Sequence, residues 1–334
     1  MIDRRPWHPV PLALLGMSLA LHLITLVLYL RLPLRFAAFT VFPIWVWGII
    51  GLTLASIAFL FCKARFSLVL ILVWTFTVLF MSDEAKSLGR IGIETIEAGP
   101  PPQFAGSSVL RVITLNCASH ADPIEAVKDY ESDIVFLQEM PHAYHLKRLI
   151  DQLYDGHGDY RYDPSKRCAV IVRGKIVAES PVAKYRSQLV TVEMPSGHRL
   201  QLMNVHLQSA ATNLRLFSRD CWREHSHNRL RRQIELTYTL QLLKQRTGYP
   251  RIPALIAGDF NAPANDAVYK LLEPEFKDAF NEAGSGWGNT YHRALPMLRI
   301  DHIYASDKFL PVRARAVGNS KSDHRMVVAD FVFR

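Results

Sequence analysis

Cysteine is scarce in this chain. Cys62, Cys117, Cys168 and Cys221 fall in no Cys-x-x-Cys spacing, so the sequence announces neither a zinc site nor a disulfide framework. A bridge between two of the last three stays open at this level. No internal repeat is present. The larger absence is charge: Val10 to Leu30, Ala37 to Cys62 and Phe66 to Met81 contain no Asp, Glu, Lys or Arg. The first two are long enough to cross a hydrocarbon core, which takes about 20 residues. The third is short and must borrow Ala64 or Ser82, with Arg65 snorkelling to the surface. Tyr29, Trp45 and Trp47 are the amphipathic aromatics expected near membrane boundaries. Arg4-Arg5 ahead of an apolar run has the look of an export signal, but no small-residue cleavage site follows Leu30. Residues 1–81 therefore read as an anchor of about three transmembrane helices, near 10–30, 37–62 and 66–81.

Basic residues do not decide the orientation. Arg4, Arg5, Lys63 and Arg65 would share one side, and Arg31, Arg35, Lys86 and Arg90 the other. The free amino group and the acidic pair Asp83-Glu84 tilt the balance toward a cytoplasmic N-terminus. The expectation is a multi-pass protein of the cell membrane whose bulk lies outside the cytoplasm.

Residues 82–108 read as a linker, with mixed charge and the stiff run Gly99-Pro100-Pro101-Pro102. From Val109 to Arg334 short apolar strands alternate with amphipathic helices, in a length that can bury its own core. Most of the chain's formal net charge of +9 lies here, which suits an anionic substrate without proving one. Strands are expected at Val109 to Leu115, Asp133 to Leu137, Leu255 to Gly258, Arg299 to Tyr304 and Met326 to Phe333. Hairpins are expected about Arg173-Gly174 and Pro195-Ser196-Gly197. Helices are expected over Pro123 to Tyr130, Pro141 to Leu153, Arg229 to Lys244 and Asp266 to Leu272. The strand count implies two sheets packed face to face.

Polar residues interrupt these strands in six places: Asn116, Gln138-Glu139, Asn204 with His206, Asp259 with Asn261, Asp301 and Ser322-Asp323-His324. Such interruptions are costly unless they meet and satisfy one another. A shared cleft holding a hard divalent cation is the simplest arrangement that does so.

In that order and chemistry the blocks resemble the endonuclease/exonuclease/phosphatase superfamily, over about Val109 to Arg334. Some bacterial members of that group carry similar membrane anchors. The resemblance implies a four-layer α/β/β/α sandwich of two mixed sheets with the site at one mouth. It also implies roles. Glu139, with Asn116 and Asp323, would hold Mg²⁺ or alternatively Mn²⁺, hard cations that prefer oxygen donors. Asp259 would orient or deprotonate the attacking water, and Asn261 would steady a phosphoryl oxygen, with Asn116 a further substrate contact. Asp301 would fix and charge the His324 imidazole. His206 would stabilise the pentavalent phosphorus or assist the leaving group. His302, next to Asp301, should face the other way, while Gln138, Asn204 and Ser322 would shape the site.

The abasic-site endonuclease branch typically carries Tyr where this chain has His206. Asn204-Val205-His206-Leu207-Gln208 instead resembles the sphingomyelinase, nuclease and phosphatase branches. The stretch from Gln208 to Arg232 carries Arg215, Arg219, Arg223, Arg229, Arg231 and Arg232 with His225 and His227. It is either an anion-gripping flap, with Arg229 and Arg232 on the substrate, or a solvated lead into a surface helix. The expected activity is that of a membrane-anchored, metal-dependent phosphoester hydrolase, with a lipid-linked phosphate or phospholipid favoured by the anchor. The rivals are an anchored nuclease acting on nucleic acid, and a catalytically silent membrane module that binds anions.

Overall fold

The computed structural model describes residues 9–63, 65–90, 108–181, 184–209, 212–246, 250–292, 294–319 and 321–334. The chain forms two compact units. The first comprises 1–86 together with 214–226, and the second comprises 87–213 together with 227–334. The linker expected at 82–108 lies mostly outside the described residues; its start is helical.

In the first unit, helices α1 (Pro9–Arg31), α3 (Ile44–Cys62) and α4 (Arg65–Met81) pack together, with short helices α2 (Ala37–Thr40) and α5 (Asp83–Leu88). Two of them, α1 and α3, are long and apolar enough to cross a membrane; α4 is shorter. Residues 37–62 are not one span. Pro43 has no amide hydrogen and forces the preceding residue out of the helical region, so the helix restarts at Ile44. Close packing is set by small residues: Gly51 leaves no room for a Cβ against the Trp74 ring. Ser18 accepts from Trp74 Nε1 at 3.1 Å and donates to the Gly51 carbonyl at 2.9 Å.

The second unit contains β1 (Val109–Asn116), β2 (Ile134–Gln138), α6 (Tyr144–Tyr154), β3 (Asp159–Asp163), β4 (Cys168–Val172), β5 (Lys175–Ser180), β6 (Ser187–Glu193) and β7 (Arg199–His206). The later part of α7 (Arg219–Arg246) follows, then β8 (Ala254–Asp259), β9 (Phe276–Asp278), α8 (Ala279–Ala283), β10 (Asp301–Ser306), β11 (Phe309–Val317) and β12 (Met326–Phe333). One sheet runs β11-β12-β1-β2-β4-β3 and the other β5-β6-β7-β8-β10-β9. Both are mixed: β1 pairs parallel with β2, and β7 parallel with β8, among antiparallel neighbours. Val112, Phe136, Val170, Leu202, Leu255 and Ile303 interlock between the sheets. Leu146, Leu149 and Ile150 of α6 cover the outer face of the first sheet, and Leu236, Leu240 and Leu243 of α7 that of the second. The result is the expected α/β/β/α sandwich.

Several expectations change. Arg173-Gly174 joins no hairpin: β4 is fully buried and paired on both sides, to β2 and β3, so the chain leaves for the other sheet, where β5 pairs with β6. The second hairpin, β6 to β7 about Gly197 at φ 81°, is as expected. The segments at 122–130 and 267–271 are 3₁₀ rather than α-helical, and α6 begins at Tyr144 instead of Pro141. Helix α7 starts ten residues before the expected Arg229. Cys117, Cys168 and Cys221 are buried and in no disulfide among the described residues, so the bridge left open by the sequence does not form.

Candidate active site

Alternation along the strands decides where the polar residues point. On β1, Leu110 and Val112 face the other sheet, so Thr114 and Asn116 do too. The same count turns Gln138 on β2, Asn204 and His206 on β7, Asp259 on β8 and Asp301 on β10 inward. Register then brings them to one end. Asn116 pairs with Gln138, His206 with Asp259, and Asp259 with Asp301.

Beneath the site the two sheets are stitched by amides. Gln138 Nε2 donates to Asn204 Oδ1 at 2.8 Å, and Asn204 Nδ2 donates to the carbonyls of Leu137 and Ala169, both at 2.9 Å. Thr114, Gln138 and Asn204 are thereby paired with one another or with backbone in this layer.

Asp259 is the hub. Asn116 Nδ2 donates to its Oδ2 at 2.9 Å, and the Asn261 amide donates to its Oδ1 at 2.8 Å. Gly258 makes this possible. Its φ is 144°, and a Cβ there would sit 1.9 Å from the Val205 carbonyl oxygen, so no other residue fits between the strands. Asn261 turns back in the left-handed region at φ 51°, and its Nδ2 donates to the Leu207 carbonyl at 3.1 Å. Glu139 also has a positive φ, 51°. This conformation ends β2 abruptly and is held on both sides by Arg167: the Met140 amide donates to the Arg167 carbonyl at 2.8 Å, and Arg167 Nη2 donates to the Glu139 carbonyl at 3.3 Å. Its carboxylate accepts from Ser119 Oγ at 3.1 Å and lies 3.6 Å from His206 Nε2.

His324 Nδ1 lies 2.8 Å from Asp301 Oδ2, and its Nε2 lies 4.0 Å from Asp259 Oδ2. Ser322 orients this turn, donating to the Asn116 carbonyl at 2.7 Å and accepting from the His324 amide at 3.0 Å. Burial would lower the imidazole's pKa, but the charge and hydrogen bond of Asp301 outweigh it and raise it to about 10. Burial, and then the neighbouring Asp301 charge, push Asp259 up to about 7. His206 goes the other way. Burial holds it down at about 4 against the pull of Glu139, so it is neutral at pH 7. The site therefore pairs one imidazolium with one neutral imidazole across a carboxyl poised near neutrality.

Asp323 is half-buried, and its charge is felt by His324, but it is not among the groups whose ligand atoms converge most closely. That group is Asp259, Asp301 and His324, whose ligand atoms lie within 4.8 Å of one another and could hold a metal ion. Two buried atoms of the site, Asp301 Oδ1 and His206 Nδ1, have no hydrogen-bond partner among the described residues. The unpartnered carboxylate oxygen of Asp301, beside the carboxylate of Asp259, is the kind of donor that a hard divalent cation takes.

Arg229 and Arg232 do not reach this cluster. They are 1% and 4% exposed and lie 2.9 and 3.6 Å from Asp266, which also caps the 267–271 turn. Both guanidiniums face this one carboxylate inside the fold. His302 faces outward from the sheet as alternation demands, with Asp278, Arg299 and Tyr269 around it. Sequence reasoning missed Thr290 and Tyr291. Thr290 Oγ1 accepts from the amides of Ile300 and Asp301, each at 3.2 Å, and the Tyr291 ring lies 5.0 Å from that of His324.

A fold of two stacked mixed sheets, with acid, amide and imidazole groups gathered at one mouth, defines a class of phosphoester-cleaving proteins. The model of the Endonuclease/Exonuclease/phosphatase family matches residues 113–324, and the chain belongs to that family. Its members are phosphoester hydrolases, usually dependent on a divalent metal. No curated protein matches the chain. Among solved structures, the mannosyl-6-phosphatase of Bacteroides thetaiotaomicron is 17% identical with a TM-score of 0.52, covering 67% of this chain and 100% of its own. The human Nocturnin catalytic domain with bound sulfate is 21% identical with a TM-score of 0.51, covering 70% and 100%. A humanized D. rerio TDP2 is 20% identical with a TM-score of 0.50, covering 67% and 99%. At these identities the likeness is one of fold.

Proposed function

We propose that this protein is a membrane-anchored, Mg²⁺-dependent phosphoester hydrolase that directs water at phosphorus, with a lipid-linked phosphate or phospholipid as its substrate. The observation that carries the reading is the meeting of Asn116, Glu139, His206, Asp259, Asp301 and His324 at one mouth of the sandwich. Asp259, raised toward neutrality, takes the proton of the attacking water, and Asn116 and Asn261 hold its two oxygens in place. The His324 imidazolium, fixed by Asp301, faces the phosphoryl oxygens and stabilises charge that grows on them. Neutral His206 offers a hydrogen bond to an oxygen of the pentavalent phosphorus centre or to the leaving oxygen. Glu139, Asn116 and Asp323 are the residues proposed to hold the cation, which when bound neutralises phosphoryl charge and orients the substrate.

Anchoring rests on α1 and α3, with α4 completing a multi-pass bundle whose outward side chains, such as Leu60 and Leu72, are apolar. A cleft carried by such a bundle is held near lipid, and this favours a lipid phosphoester over duplex nucleic acid. A silent module would have no reason to keep two buried carboxylates side by side at Asp259 and Asp301.

The test is a product assay on the full chain in detergent, with and without Mg²⁺, offering a lipid diphosphate, sphingomyelin, DNA and an artificial diester in parallel. Inorganic phosphate or phosphocholine is expected. Oligonucleotide products would replace the lipid reading with a nuclease, and hydrolysis of nothing in the panel would favour the silent module.

A further inference from the structure

The stretch 214–226 interrupts the catalytic part of the sequence, yet it packs with the apolar helices. Within that unit, Leu216 and Trp222 pack against the cluster of Tyr29, Phe39, Ile44 and Trp47. Trp222 Nε1 donates to the Leu216 carbonyl at 2.6 Å, closing the turn on itself. The Trp222 ring meets Phe36 edge-on, with centroids 5.8 Å apart. These contacts fix the stretch at the end of the bundle where α1 finishes at Arg31 and α3 begins at Ile44.

Two of its side chains are left outside. Phe217 is 92% exposed and Leu214 56%. They do not stand alone, because the apolar outer surface of α1 reaches the same end through Val27 and Leu30 and continues to exposed Phe36. Exposed Arg31 ends α1 and exposed Arg35 follows it at this end of the bundle, and exposed Arg215 and Arg219 flank Phe217 in the chain, while Asp220 is engaged by Arg223. An exposed aromatic side chain at the end of an apolar bundle, with exposed arginines beside it in the chain, matches the chemistry of the headgroup and acyl boundary of a bilayer.

We infer that 214–222 is a membrane-interface element, with Phe217 and Leu214 inserted at the acyl boundary and the arginines on lipid phosphates. This rests on the anchored reading above and deepens it. The catalytic chain touches the bilayer through its own insertion, a short way downstream of His206, as well as through the helices that precede it.

The test uses the full chain in phosphatidylcholine–phosphatidylglycerol vesicles, with a fluorescent amino acid placed at position 217, at 214, or at 72 midway along α4. The quenchers are lipids carrying a nitroxide near the headgroup or near the chain end. Probes at 217 and 214 are expected to lose more fluorescence to the shallow nitroxide than to the deep one and to be shielded from aqueous iodide. The probe at 72 is expected to show the reverse depth order. Probes at 217 and 214 that neither nitroxide quenches, beside a quenched probe at 72, overturn the interface element and leave the anchor standing. An unquenched probe at 72 overturns the anchor, and the inference with it. Because both tested side chains of the stretch are exposed, the replacements do not put folding at risk.

Discussion

At the scale of single residues, the site is an arrangement of protons. Asp259 sits near neutrality because it is buried next to Asp301, and His324 is charged because Asp301 holds its ring. Replacing Asp259→Asn keeps the shape and removes the proposed base. Turnover should fall by about 10²–10⁴-fold, the usual worth of a positioned acid or base, with circular dichroism unchanged. A wild-type rate would remove Asp259 from the mechanism. The Asp301→Asn variant tests the imidazole. A raised pKa means that the proton is kept until pH climbs past about 10, so removing the charge that raises it must bring proton loss to lower pH. The alkaline limb of the pH–rate profile should move acidward, and an NMR titration of His324 should move with it. An unmoved titration would show that Asp301 does not charge the ring.

At the scale of elements, the second sheet is held behind the site by a buried ion pair. Asp278, at the end of β9, lies 2.5 Å from Arg299 and 2.9 Å from His302. Burial opposes its charge, but Arg299 and then His302 win and hold its carboxyl well below the usual range. A depressed pKa gives stability that is present above the unfolded value, about 3.9 for Asp, and lost as pH falls toward the folded one. The Asp278→Ala variant should lose about 3–5 kcal/mol, the usual cost of leaving a buried partner charge unpaired. Its denaturant midpoint should also depend less steeply on pH below about 4 than that of the wild type. Equal acid sensitivity in the two proteins would show that Asp278 does not carry this linkage.

Elements also mark where the sequence is readable. The polar strand ends are legible because they break apolar runs that otherwise obey strict alternation, and alternation alone turns Asn116, His206, Asp259 and Asp301 to the same side. Strand β3, Asp159–Asp163, carries no such pattern because none of its residues is fully buried. Strand β11 hides behind Pro311 and a bulge between Pro311 and Arg313. A turn signal at Arg173-Gly174 says that the chain reverses, not which sheet it joins. Arg229 and Arg232 looked like a grip on substrate because a sequence shows charge without its partner, and Asp266 lies far along the chain. Thr290 and Tyr291 were invisible for the same reason.

At the scale of the whole molecule, metal and fold should be linked. A cation that binds only the folded site adds about 2.7 kcal/mol at a hundred times its dissociation constant. Millimolar Mg²⁺ should therefore raise the thermal midpoint of the purified chain, and a chelator should reverse the gain. The Glu139→Gln variant should need more metal for the same shift, since an amide is a weaker ligand for a hard cation. A midpoint indifferent to metal in both proteins would count against Glu139 as a ligand.

The amide stitch of Gln138 and Asn204 has one more consequence. Sliding one sheet over the other would strand several buried donors and acceptors at once, each worth roughly 2–7 kcal/mol when left unmade in an apolar setting. The jaw that carries Asn116 and Glu139 on one side, and His206 and Asp259 on the other, is therefore of fixed gauge. Bulky and slender substrates meet the same opening, and selection among them falls to the loops at its lip.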